Sequence, residues 1–251
     1  MSLPAFIIGG APRSGTTWLL HVLEKHPEIF LAKPYTPEPK FFLLDDEYEK
    51  GLQYYLDKWF SDVGPDKVAG EKSTNYLENP GTAARIHANL PGVKLVFILR
   101  EPADRAYNNY LWTKGNGLET LEFEAAIEEE EQRLAGMPEK WRYSRPFDYF
   151  QRGLYAKHLA PFFLLFPREQ ILCLKYEDIS VKPKELVRTL HRFLGVKELA
   201  EHGEQVGIIN AAQGEALAYE LPPLASLDRL RERYSQANKE LAALLPDFEM
   251  W

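Results

Sequence analysis

The sequence predicts a three-layer α/β fold, with a central, mostly parallel sheet flanked by helices. Two observations carry that expectation. Lys94–Arg100 (KLVFILR) is a nearly continuous apolar run, the pattern of a strand buried on both faces of a parallel sheet. Runs of this kind alternate along the chain with segments of helical period, as strand–helix–strand units do. The 251 residues, 45% hydrophobic and 27% charged, can build a sizeable core, and one domain over residues 1–251 is expected.

The elements follow in order. Ala5–Gly10 is an apolar strand running into glycines, and Gly15–Lys25 carries Trp18, Leu19, Val22 and Leu23 at helical spacing. Val68–Glu71 reads as a short strand and Thr82–Asn89 as a helix. After the strand at 94–100, a helix is expected to start near Pro102–Asp104. Leu121–Leu134 presents Phe123, Ile127 and Leu134 on one helical face, and the acidic run Glu128–Glu131 within it reads as a solvated face. Gln170–Tyr176 is another buried strand. Lys184–Leu194 is an amphipathic helix with Leu186, Leu190 and Leu194 inward and Pro183 in its first turn. Leu31–Lys40 and Gly136–Arg145 fit no regular element, and loops of that length in a compact domain are often functional.

Composition removes several classes. Thirty basic residues against 37 acidic give a net charge of −7, which argues against a nucleic-acid binder and against a long polyanion as substrate. No stretch approaches the roughly 20 apolar residues of a membrane helix, and no membrane anchor or signal peptide is expected. A lone cysteine, Cys173, favours a reducing compartment, and the expected location is cytoplasmic. The six histidines are scattered, with no metal-ligand spacing, so no metal is expected. No G-x-S-x-G elbow of a serine hydrolase is present.

The most informative stretch is Gly10-Ala-Pro-Arg-Ser-Gly15-Thr-Thr17, between the first strand and the first helix. Its glycines have the spacing of a P-loop, whose backbone N–H groups and following helix cradle a phosphate. A nucleoside triphosphatase has lysine at the position of Thr16 and a magnesium-binding hydroxyl after it. Here the cation is Arg13, inside the loop, and Ser14, Thr16 and Thr17 supply hydroxyl donors. The loop is built for a phosphate but lacks the equipment for cleaving a triphosphate with magnesium.

Pro12-Arg-Ser-Gly-Thr-Thr-Trp18 resembles the 5′-phosphosulfate loop of sulfotransferases that use 3′-phosphoadenosine 5′-phosphosulfate (PAPS). Cytosolic members carry a similar P-K-S-G-T-T-W and tyrosylprotein members a similar P-R-S-G-T-T. Further segments resemble the heparan-sulfate branch in the same order: Glu38-Pro-Lys-Phe-Phe42, Glu71-Lys-Ser-Thr-Asn-Tyr76, Leu99 to Tyr110, and Gly153-Leu-Tyr-Ala-Lys-His158. The resemblance runs from about residue 5 to about residue 196 and implies a P-loop-like α/β fold with PAPS as co-substrate and no metal.

It also implies roles for particular residues. Arg13, Ser14, Gly15, Thr16 and Thr17 surround the 5′-phosphosulfate. Arg100 and Asn108 hold the 3′-phosphate, Asn108 standing where the family has serine. Arg105 fits the same pattern, with a salt bridge to Asp104 or Glu101 as its structural alternative. Glu38 acts as general base, and Lys40, which replaces a histidine of the family motif, stabilises transferred charge together with Lys72. Trp18 resembles a tryptophan that packs on adenine, and Tyr155 a tyrosine near the nucleotide. Phe41 and Phe42 read as core. The family's late basic-glycine loop has no good match, although Asn210-Ala-Ala-Gln-Gly214 occupies its place without a cation.

The expected activity is in-line transfer of a sulfuryl group to a hydroxyl or amine acceptor, a carbohydrate or other small molecule in preference to a long polyanion. Loop Gly136–Arg145, with Lys140, Trp141, Arg142 and Arg145, is expected to line the acceptor site. Two alternatives differ in class. A P-loop kinase of a small molecule would require magnesium, and a silent nucleotide-binding module would bind without turnover.

Overall fold

A computed structural model of the chain describes residues 3–199, 201 and 224–251. These fall into two compact units, one of residues 3–99 and 159–201, the other of residues 100–158 and 224–251.

The first unit holds one sheet of five parallel strands: β1 (Phe6–Gly10), β2 (Ile29–Leu31), β3 (Val68–Lys72), β4 (Lys94–Leu99) and β5 (Ile171–Lys175). Their order is β2-β3-β1-β4-β5. From the central β1 the chain passes to the edge strand β2, returns to β3 beside β1, and then crosses to β4 and β5 on the other side, so the carboxyl end of β1 lies at a topological switch point, where open α/β sheets bind ligands. Side-chain alternation divides the sheet. Phe6, Ile8, Val96, Ile98 and Leu174 pack in one core with α1 (Thr16–Glu24) and α10 (Pro183–Leu194), through Trp18, Leu19, Val22, Leu23, Leu186, Val187, Leu190 and Leu194. Ile7, Leu95, Phe97 and Leu99 point the other way, where Phe97 meets the ring of Phe162 at 5.0 Å.

The register of β3 on β1 pairs Ile7 with Glu71 and Ile8 with Lys72. Glu71 and Lys72 are therefore committed to opposite faces of the sheet. On the Glu71 face lie α3 (Gly51–Trp59) and the aromatic pair Phe41 and Phe42, both fully buried as the sequence predicts, with Phe41 stacked on Tyr55 of α3 at 4.6 Å. The helices α2 (Asp45–Tyr48), α4 (Pro80–Asn89) and α9 (Asp178–Val181) complete this unit.

The second unit is helical. It contains α5 (Pro102–Gly115), α6 (Phe123–Glu128), α7 (Glu130–Ala135), the start of α8 (Tyr155–Leu165) and α11 (Leu224–Leu244). Glu101 caps α5, its carboxylate accepting the N–H groups of Ala103 and Asp104 at 3.1 and 2.8 Å. Tyr107, Tyr110, Phe123 and Ile127 pack with Leu227, Leu230 and Tyr234 of α11.

Two expectations are corrected here. The single helix read over Leu121–Leu134 is two short ones meeting at Glu129. The acidic run is not all solvated either: Glu130 is 4% exposed. Its carboxylate accepts the N–H groups of Tyr149, Phe150 and Gln151 at 3.1, 2.6 and 3.0 Å. Burial, reinforced by the charge of Asp148, pushes this carboxyl up to about 7.

Candidate active site

The loop between β1 and α1 is shaped by its glycines. Gly15 has φ of 91°, and a Cβ there would lie 2.7 Å from Ile179 Cδ1 and 2.9 Å from the Tyr176 ring. A Cβ on Gly10 would lie 2.7 Å from Leu77 Cβ. Both positions exclude a side chain, the first also by its backbone conformation. Arg13, at φ of 66°, is exposed.

No side chain caps the start of α1, and its first turn contains no acid. The N–H groups of that turn and the positive helix end remain available to an anion. Ser14 is fully buried, and its Oγ has no hydrogen-bond partner among the described residues. A buried hydroxyl in that state costs about 1–3 kcal/mol, a cost that a phosphate or sulfate oxygen in the loop removes. Thr16 is buried and Thr17 half-buried beside it. This donor set fits the phosphosulfate end of PAPS.

The carboxyl end of the neighbouring strand β3 brings together two of the candidate residues, Lys72 and Glu38. Lys72, the last residue of β3, forms an ion pair with Glu38, and the two side chains are only 10% and 14% exposed. Glu38 Oε2 also accepts the main-chain N–H of Thr74 at 3.1 Å and its hydroxyl at 3.2 Å. Lys40, two residues on, is half-exposed and holds φ of 48°. Its main-chain N–H donates to Ser73 Oγ at 2.9 Å. The structure thus brings Glu38 and Lys72 together and fixes Lys40 through its backbone.

Sequence reasoning did not single out the residues that hold this arrangement. Glu71 is fully buried and accepts hydrogen bonds from Ser73 Oγ, Tyr55 Oη and Tyr76 Oη at 2.7, 2.8 and 3.1 Å. Burial pushes its carboxyl up to about 7, against the opposing pull of the three hydroxyl donors. A glutamate following Val68-Ala-Gly70 inside a parallel strand was itself a signal, because such a group needs donors close by. Tyr55, supplied by a distant helix, left no such signal.

Arg100, Asn108 and Tyr155 lie in the second unit. Arg100 is half-exposed directly after β4, and its carbonyl accepts the Tyr155 hydroxyl at 2.9 Å. Tyr155 is 1% exposed. Asn108 is half-exposed and donates from Nδ2 to the carbonyl of Asp104 at 2.9 Å, which leaves the second hydrogen of that amide to a ligand.

Arg105 does not form the salt bridge considered for it. It is fully buried, donates from Nη2 to the Tyr149 carbonyl, and has no partner for Nε and Nη1 among the described residues. The carboxylates of Asp104 and Glu101 instead face Arg231, at 2.9 and 3.6 Å. Trp18 is 2% exposed and belongs to the core against β1 and β4, since the apolar face of α1 turns its ring inward. In the 136–145 loop Arg145 pairs with Asp148 at 2.6 Å and Arg142 with Glu139 at 3.3 Å, and Lys140 and Arg142 are exposed beside Trp141 and Tyr143. Residues 210–214, the candidate late loop, lie outside the described residues.

The chain matches the model of the sulfotransferase domain family over residues 3–216. It is 32% identical over 201 residues to heparan sulfate glucosamine 3-O-sulfotransferase 3B1 of Mus musculus, covering 78% of this chain and 47% of that protein. It is 28% identical over 223 residues to the bifunctional heparan sulfate N-deacetylase/N-sulfotransferase of Drosophila melanogaster, covering 82% and 21%. The chain therefore spans about half the length, or less, of these curated relatives. A sulfotransferase structure from Alicyclobacillus acidocaldarius superposes with a TM-score of 0.80 at 26% identity, covering 99% of this chain and 98% of that one. A mouse sulfotransferase complexed with PAP shares the fold, with a TM-score of 0.56 at 16% identity over 96% of this chain and 85% of that one.

Proposed function

Because the chain belongs to the sulfotransferase domain family, we propose that it transfers a sulfuryl group from PAPS to a hydroxyl-bearing acceptor. One observation carries this reading. Adjacent strands β1 and β3 present, at their carboxyl ends, an uncapped anion-binding loop with an unpartnered buried hydroxyl and a shielded glutamate–lysine pair.

Arg13, Ser14, Gly15, Thr16 and Thr17 bind the 5′-phosphosulfate, and the resemblance assigns Arg100 and Asn108 to the 3′-phosphate. PAPS supplies a sulfuryl group already bonded to a good leaving phosphate. The acceptor oxygen forms its bond to sulfur as the sulfur–phosphate oxygen bond breaks, and the acceptor proton passes to Glu38. Lys72 orients Glu38 and, with Lys40, offsets the negative charge gathering on the departing phosphate. No metal takes part in this scheme; Thr16 at the lysine position of a P-loop supports that.

The heparan-sulfate names of the relatives favour a carbohydrate acceptor. The net charge of −7 favours a short or weakly charged one over a long polyanion. Lys140, Trp141 and Arg142, which the 136–145 loop presents to solvent or holds half-buried, are the acceptor-contacting group in this reading.

The test is calorimetry with the product, 3′-phosphoadenosine 5′-phosphate (PAP), in chelator, with ATP as competitor. Metal-independent binding that weakens at least about tenfold in Arg100→Ala is the expected result. Binding of magnesium–ATP without binding of PAP overturns the assignment in favour of a kinase. A panel of heparan oligosaccharide, p-nitrophenol and a tyrosine peptide, with radiolabelled PAPS, then identifies the acceptor class.

A further inference from the structure

Glu71 is a buried carboxylate in no ion pair among the described residues, held by three neutral hydroxyls. Burying a charge without a cation is costly, and an uncharged residue of similar shape would serve the core better. What the carboxylate does is visible one bond further out. Two of its three donors are at the same time acceptors for the segment that carries the proposed base. Ser73 Oγ accepts the N–H of Lys40 at 2.9 Å, and Tyr76 Oη accepts the N–H of Phe42 at 3.2 Å.

Each hydroxyl has a single proton. An ionised carboxylate only accepts, so it draws both protons toward itself and turns the lone pairs of Ser73 and Tyr76 to the two N–H groups. A neutral acid or an amide has hydrogens of its own to place and cannot impose that direction on both partners. Lys40 is the residue whose left-handed backbone most needs such a restraint. The segment is thus held from both faces of β3, with Glu71 fastening the main chain at 40 and 42 and Lys72 pairing with Glu38.

We propose that Glu71 is a positioning residue for sulfuryl transfer, clamping the 38–42 segment through Ser73 and Tyr76 so that Glu38 and Lys40 are held in place. This rests on the assignment of Glu38 as base. The groups facing Glu71 are Tyr55 from α3, Ser73 and Tyr76 just beyond β3, and the charge of Glu38. Burial, and then the charge of Glu71, raise both phenols well above their ordinary range, so they remain donors. Because the Glu71 carboxyl titrates at about 7, the clamp tightens as pH rises through neutrality.

The experiment is site-resolved amide hydrogen exchange at pH 7.5 on the full chain, comparing wild type, Glu71→Gln and Ser73→Ala. The amides of Lys40 and Phe42 are expected to exchange about tenfold faster in Glu71→Gln, while those of Ile7 and Ile8 in β1 are unchanged. In Ser73→Ala the Lys40 amide is expected to open by a similar factor, and this variant decides the matter if Glu71→Gln does not fold. Unchanged protection at Lys40 in the variants that fold overturns the clamp.

Transfer from PAPS to a heparan oligosaccharide adds a kinetic readout. In Glu71→Gln, kcat is expected to fall about tenfold, with PAP affinity within about twofold of wild type and the rise in kcat near pH 7 abolished. Glu38→Gln separates the two ideas. Retained transfer in that variant overturns the base assignment. Lost transfer in Glu38→Gln with wild-type kcat and pH profile in Glu71→Gln overturns the clamp alone.

Discussion

The hydroxyl of Tyr155 donates a 2.9 Å hydrogen bond to the main-chain carbonyl of Arg100. The first residue of α8 thereby fixes the backbone of the residue assigned to the 3′-phosphate, although its own ring is almost wholly buried. Tyr155→Phe keeps the ring and removes the hydroxyl that makes this bond. The expected outcome is a loss of about 1 kcal/mol in stability and PAP binding weakened about three- to tenfold, read by denaturation and calorimetry. Wild-type affinity in this variant would show that Arg100 needs no such restraint.

Ser14→Ala separates ligand binding from folding. Its Oγ is buried without a protein partner, so removing it leaves the stability of the ligand-free protein unchanged or raises it by up to about 1 kcal/mol. PAP affinity is expected to fall about tenfold, because a hydrogen bond to a charged oxygen is lost. A clear loss of ligand-free stability would mean that the hydroxyl has a structural task.

Gly15→Ala places a methyl group where the backbone is left-handed and where Ile179 and Tyr176 already fill the space. A stability loss of about 1–2 kcal/mol follows from the backbone alone. PAP binding is expected to fall by more than in Ser14→Ala, since the start of α1 must shift with the loop. Retained affinity at reduced stability would show that the N–H groups of α1 do not contact the ligand.

The buried carboxyl of Glu71 sets a pH dependence of stability with a definite sign. Burial raises it to about 7, above its unfolded value. Its contribution is therefore fully present below the ordinary carboxylate range and is lost as pH rises through about 7. The thermal midpoint is expected to fall between pH 5.5 and pH 8, and to fall less in Glu71→Gln. An identical drop in the two proteins would show that Glu71 is not the group titrating. Transfer activity moves the opposite way over the same interval, because the ionised form is the one that holds the 38–42 segment.

Much of the frame was legible in the chain. Phe6–Gly10 and Leu95–Leu99 are continuous apolar runs, and α10 places Leu186, Leu190 and Leu194 on one face, as its spacing predicts. β2 is only three residues long, too short to show a period. The spacing of Leu227, Leu230, Tyr234 and Leu241 in α11 was readable but lies beyond the span of the family motifs. At the site, Glu38 and Lys72 could be named from the sequence, but their pairing, and the part of Thr74 in it, could not.

The sequence by itself determined four of the five strands and the phosphate loop, because apolar period, glycine conformation and the start of a helix are properties of a few consecutive residues. Tertiary structure decided which carboxylates are buried and what they hold. Glu130 looks no different in sequence from the solvated acids around it, and Glu71, though its place in a strand marks it, carries no local sign of which groups satisfy it. Their burial depends on donors that the fold brings from elsewhere, the hydroxyl of Tyr55 for Glu71 and the N–H groups of residues 149–151 for Glu130. A buried charge is tolerated only where such partners converge, and convergence is a property of the folded chain.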